Sequence, residues 1–171
     1  DEQVSAKPWK HFGGASAGAL AVDSLAFSPD GKKVVSTHYP QYPGHVRVSP
    51  LLADPPGQVR LWERSAVGNG YDRWSENASL TIDKMLGHAP LFFSPDGKHV
   101  HVMNDSQVVR WNVDELKPER FDFKNSRAVS PDGRYVAIKD GDDHVSVFEL
   151  NSGKRLAEID ADGEWMWPIG F

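Results

Sequence analysis

The hexapeptide FSPDGK occurs at Phe27–Lys32 and again at Phe93–Lys98, and it returns as VSPDGR at Val129–Arg134. Proline suits the second position of a turn because its ring fixes φ at about −65°, aspartate accepts hydrogen bonds from the neighbouring backbone, and glycine supplies a positive φ. Ser-Pro-Asp-Gly is therefore a turn with a physical cause, and each copy predicts a hairpin. Asp30, Gly31, Asp96, Gly97, Asp132 and Gly133 are thereby assigned structural roles in a repeat.

After each turn the sequence alternates: KKVVST (Lys32–Thr37), KHVHVM (Lys98–Met103) and RYVAIK (Arg134–Lys139). Period-two alternation places Val34 with Ser36, Val100 with Val102, and Val136 with Ile138 on one strand face. A second set ends in an aromatic, QVRLWE (Gln58–Glu63), QVVRWN (Gln107–Asn112) and HVSVFE (His144–Glu149), so Trp62, Trp111 and Phe148 are equivalent positions. A third set follows as SLTIDKM, ERFDF and RLAEID. Each unit thus reads as four short antiparallel strands, one before the turn and three after it. The turns begin at Ser28, Ser94 and Ser130, spacings of 66 and 36 residues. A four-stranded unit recurring every 40 to 45 residues or so is the pattern of propeller blades.

With these residues in place the chain resembles a run of WD40 repeats from about Asp23 onward. In that family the innermost strand leads into a Ser-Pro-Asp-Gly turn and the third strand ends in the Trp of the WD pair. Gly87-His88 stands in the place of the family's Gly-His pair, with Asp105 three residues before Val108 and Trp111 closing the strand. The resemblance implies a buried tetrad of His, Asp, Trp and a hydroxyl, but Val102 occupies the hydroxyl position of this unit. The first unit has Ser36 and Trp62 with Pro56 where Asp belongs; the third has Asp142, with Ile138 for the hydroxyl and Phe148 for Trp. TolB-like propellers share the turn and are the nearest rival; the three aromatics that close the third strands favour WD40.

The expected fold is all-β, a partial β-propeller of about three four-stranded antiparallel blades whose ring is incomplete in this chain. Residues 1–21 form an N-terminal segment in which Lys7–Phe12 is a candidate ring-closing outer strand. Residues 22–86 form the first blade, 87–123 the second, 124–160 the third, and 161–171 begin a further one. Two inserts lengthen the first blade. The first, at 37–57, carries Pro40, Pro43, Pro50, Pro55 and Pro56 and so reads as irregular; the second is 64–78. Three blades cannot close a ring, which needs roughly four to eight. The expectation is the N-terminal portion of a longer propeller, or a subunit completed by association.

The sequence has 19 Lys and Arg against 24 Asp and Glu, a formal charge of −5, which offers no broad basic face to a phosphate backbone. Nucleic acid is not an expected partner. Cysteine is absent, so disulfides and thiolate chemistry are excluded. No uncharged apolar run approaches the roughly 18 residues that span a bilayer, and membrane insertion is not expected. The chain opens on Asp1 rather than Met, which suits a processed, exported bacterial protein, periplasmic or extracellular.

No phosphate-binding loop, nucleophile elbow or zinc spacing is present, so no catalytic, cofactor or metal residues are assigned. His99 and His101 share a strand face, but His101 aligns with Val35 and Ala137 and is placed between blades. DGDDH at Asp140–His144 has Asn151 where a calcium loop carries its twelfth-position Glu, and reads as a polar turn. The candidate partner-binding rim is Trp165, Trp167, Tyr39, Tyr42, His45, His88 and Arg127, because the connections carrying them open on one side of a propeller and Trp, Tyr and Arg dominate binding hot spots. The bland alternative packs both Trp residues between blades. The function expected is a non-enzymatic scaffold for a protein or peptide, held against remaining blades or another subunit. The alternatives are a propeller enzyme or sensor with a cofactor or metal on the ring axis, or a regulatory ring fused to a catalytic domain.

Overall fold

The computed structural model of the chain describes residues 20–40, 56–67, 71–83, 89–104, 106–141 and 144–160. Among them are twelve strands in three four-stranded antiparallel sheets, each a simple meander in chain order. The first sheet is β1 (Leu20–Phe27), β2 (Lys33–Pro40), β3 (Gly57–Val67) and β4 (Tyr71–Ile82). The second is β5 (Leu91–Phe93), β6 (His99–Met103), β7 (Val108–Asn112) and β8 (Lys117–Phe121). The third is β9 (Ser126–Val129), β10 (Tyr135–Asp140), β11 (His144–Glu149) and β12 (Arg155–Asp160). Among the described residues the fold is all-β and propeller-like, with no sheet closed on itself.

The register follows from the alternation. Trp62 lies opposite Val34, Trp111 opposite Val100 and Phe148 opposite Val136, so one aromatic–valine pair recurs at the same place in each sheet. Val35, Val59, Leu61 and Ile82 of the first sheet meet Phe93, Val100, Val102, Val109 and Trp111 of the second in one buried cluster. The other face of the second sheet, with Met103 and Val108, meets Val129, Val136 and Leu150 of the third. The middle sheet is therefore covered on both faces. Lys33 Nζ reaches Asp114 Oδ1 at 2.5 Å across the first interface, and Asp23 Oδ2 accepts from the backbone N–H of Ala89 at 3.1 Å, joining β1 to the start of the second sheet.

The structure redraws both ends of the first insert's neighbourhood. Thr37–Pro40 continues β2 as a paired strand, Thr37 opposite Val59 and His38 opposite Gln58. Pro40 is the last strand residue, where its missing N–H costs little. The second insert is largely strand as well: β3 and β4 run on through it as one long hairpin, with Arg64 opposite Trp74 and Val67 opposite Tyr71. Backbone pairing satisfies its polar groups more completely than an irregular loop would. The candidate closing strand at Lys7–Phe12 and the segment 161–171 lie outside the described residues, and no helix among those described is long and apolar enough to cross a membrane.

Candidate functional site

The three turns are built alike. Ser28, Ser94 and Ser130 each donate a hydroxyl to Asp30, Asp96 and Asp132 Oδ1 at 2.7, 2.6 and 2.6 Å. Each serine Oγ also accepts a backbone N–H from five residues on, at 2.8, 3.0 and 2.9 Å. The serine hydrogen bond, followed by the backbone N–H two residues after the aspartate, holds all three carboxyls below their ordinary range. Gly31, Gly97 and Gly133 all have φ between 68° and 70°. These groups are occupied by the fold, as their repetition implied.

A polar network, which among the described residues has no counterpart in the other two sheets, lies on the face of the first sheet turned away from the second. Trp62 Nε1 donates to Ser36 Oγ at 2.8 Å, and Ser36 Oγ lies 2.7 Å from His38 Nε2. Burial, then the nearby Arg60 charge, pushes the His38 imidazole down to about 4, so the ring is neutral and the serine proton can point at Nε2. The Trp and hydroxyl expected from the family tetrad thus meet, and the histidine comes from two residues along the same strand. Sequence reasoning missed His38 because it stood in a segment read as insert, although its i+2 spacing from Ser36 was visible. In the second sheet Val102 takes the hydroxyl's place inside the apolar cluster.

Beside this network the same face is apolar and open. Val22, Leu25, Phe27 and Trp74 are all exposed, and the Phe27 and Trp74 rings meet edge-on at 6.1 Å. Phe27 is 65% exposed, whereas its repeat equivalents Phe93 and Val129 are 9% and 4% exposed because each packs on the sheet before it. Arg60 holds the polar border of the face, bonding Gln58 Oε1 through Nη2 at 3.0 Å and lying 3.5 Å from Glu76.

Of the rim residues expected from sequence, Tyr39 lies on β2 opposite Ala21 and Arg127 lies on β9, both half-buried. Trp165, Trp167, Tyr42, His45 and His88 lie outside the described residues, as do the repeat positions Asp105 and Asp142. His101 is between sheets: its ring stacks on Phe92 at 5.0 Å, and a Cβ at Gly133 would fall 2.3 Å from its Nε2. Neither ring nitrogen has a hydrogen-bond partner among the described residues, and burial pushes the imidazole down to about 4. One group of three metal-ligand side chains is brought together among the described residues: His144, Glu158 and Asp160 on the third sheet. No protein-family model matches the chain, and no curated protein is significantly similar to it.

Proposed function

We propose that this chain is a non-enzymatic interaction scaffold of the WD40 type, whose first sheet presents its open face to a further β-sheet, supplied by the same protein or by another subunit. The observation that carries this reading is the contrast at one repeat position: Phe27 is open where Phe93 and Val129 are covered. An apolar repeat position that the fold buries twice and leaves wet once marks a face built for a neighbour. Leu25 and Phe27 are 63% and 65% exposed, and with Val22 and Trp74 they make a patch of the kind that marks interaction sites. Asp23 supports the scaffold reading too, since this charged residue of an inner strand bonds Ala89 and Ser24 and so serves sheet-to-sheet joining.

The test is the mass of the protein in solution, by sedimentation, for the parent and for a Leu25→Lys, Phe27→Asp double variant. Both positions are exposed, so the variant keeps its strand content by circular dichroism. Association of the parent that is lost in the variant is the expected result. A parent that is a sharply melting monomer, with the variant indistinguishable from it, overturns the reading.

A further inference from the structure

Repetition marks structure in this chain, and the third sheet departs from its repeats at one corner. Gln58 and Gln107 stand four residues before Trp62 and Trp111; the same place before Phe148 is His144. Across the next ladder Arg60 faces Ser79 and Val109 faces Arg120, whereas Ser146 faces Glu158. His144 itself lies between Asp140 on β10 and Asp160 on β12, directly opposite both. Directly paired residues share a face, so one row is Asp140, His144, Asp160 and the next is Ile138, Ser146, Glu158. We propose that His144, Glu158 and Asp160 form a binding site for a zinc-like first-row divalent cation.

The donor set has the right chemistry. One ligand atom from each of the three residues lies within 4.8 Å of the others. Around a tetrahedral ion with bonds of about 2.1 Å the ligand atoms stand roughly 3.4 Å apart, a gap that exposed side chains close by small rotations. An imidazole nitrogen with two carboxylates suits zinc and its neighbours, whereas calcium and magnesium take oxygen-only sets. His144 Nδ1 is already in contact with Asp160 Oδ1, and Glu158 is held through Oε2 by Arg155, which leaves its Oε1 for the ion. All three positions face solvent, so water completes the coordination.

An independent observation points into the same corner. Ser146 is 1% exposed, shares the face of His144 and Glu158, and its Oγ has no hydrogen-bond partner among the described residues. A buried hydroxyl without a partner costs about 1–3 kcal/mol. Placed opposite Glu158, it is positioned to donate to that carboxylate while Arg155 holds the other side, the outer-shell role that orients metal ligands. Binding replaces whatever proton His144 holds on its ligating nitrogen and releases it to water.

The experiment is calorimetric titration of the untagged protein with zinc chloride, alongside His144→Ala, Glu158→Gln and a His99→Gln control on another sheet. The expected result is one zinc per chain, with affinity reduced about tenfold or more in His144→Ala and in Glu158→Gln and unchanged in His99→Gln. Glu158 is exposed, so its variant reports even if His144→Ala disturbs the strand. Thermal melting gives a second readout: zinc should raise the midpoint of the parent and leave that of His144→Ala in place. No binding up to about 1 mM zinc, a Kd worth only ~4 kcal/mol, overturns the site, as does binding that survives both variants or is lost in His99→Gln.

Discussion

Gly31 and Gly133 occupy the same turn position with φ of 68° and 69°, yet their surroundings differ. A Cβ at Gly31 meets nothing within 4 Å, while one at Gly133 runs into the His101 ring. Gly31→Ala should therefore cost about 1 kcal/mol of backbone strain, and Gly133→Ala should cost 1–3 kcal/mol more, measured by urea denaturation. The histidine on the other side of that contact gives a pH dependence. Its folded pKa of about 4 lies below the ordinary 6.5, so the unfolded chain takes up a proton first as the pH falls. His101's contribution is complete above pH 6.5 and is lost as the pH falls from there to about 4, on the order of 3 kcal/mol in all. Burial is the main cause, with Arg110 and His99 opposing protonation and Asp132 and Asp96 favouring it. In His101→Leu the loss of stability between pH 6.5 and 4 should be smaller than in the parent; equal slopes would show that the ring is wet.

At the scale of the element, the hairpin between the third and fourth strands is made twice with different residues. Five residues after Trp111 stands Leu116 with φ of 57°, and five after Phe148 stands Gly153 with φ of 67°. Asn112 prepares the first of these turns by accepting the backbone N–H groups of Asp114 and Glu115 at 3.0 Å each. A left-handed conformation costs a leucine about 1–2 kcal/mol, and glycine avoids that cost at the expense of unfolded-state entropy. Leu116 is exposed and buries little in return. Leu116→Gly should accordingly raise stability by roughly 0.5–1 kcal/mol, read as a higher melting midpoint. A drop would mean that the leucine makes contacts worth more than its strain.

For the whole molecule, the decisive fact is that, among the described residues, the middle sheet has a sheet packed on each of its faces, while the first and third sheets each pack on one. β6 and β7 carry Val100, Val102, Val108 and Val109 in full burial, whereas every residue of β12 is exposed. Local opening is easiest where few apolar contacts must be broken. Amide exchange should be slowest in β6 and β7 and fastest in β12, with the exposed arm around Arg73–Asn77 exchanging early despite its ladder. Uniform protection across the three sheets would contradict a stack whose centre is its most stable part.

Much of this was legible in the sequence because it is decided between near neighbours in the chain. Ser-Pro-Asp-Gly dictates its turn through proline's ring, a serine–aspartate hydrogen bond and glycine's freedom, and period-two alternation then sets Trp62 against Val34 and Trp111 against Val100. The bounds of β2 were not legible, since proline clusters signal irregularity without saying at which residue pairing stops. The rest depends on what lies across an interface. Phe27 and Phe93 sit in identical hexapeptides, and only the presence of a packed sheet buries one and leaves the other open. His38 gained its neutral ring from the burial of its face, and His144 met Asp160 because a register shift in β12 set them opposite each other. Burial and long-range pairing are properties of the surface that arrives from elsewhere, so the same local sequence can be core in one sheet and an exposed face in another.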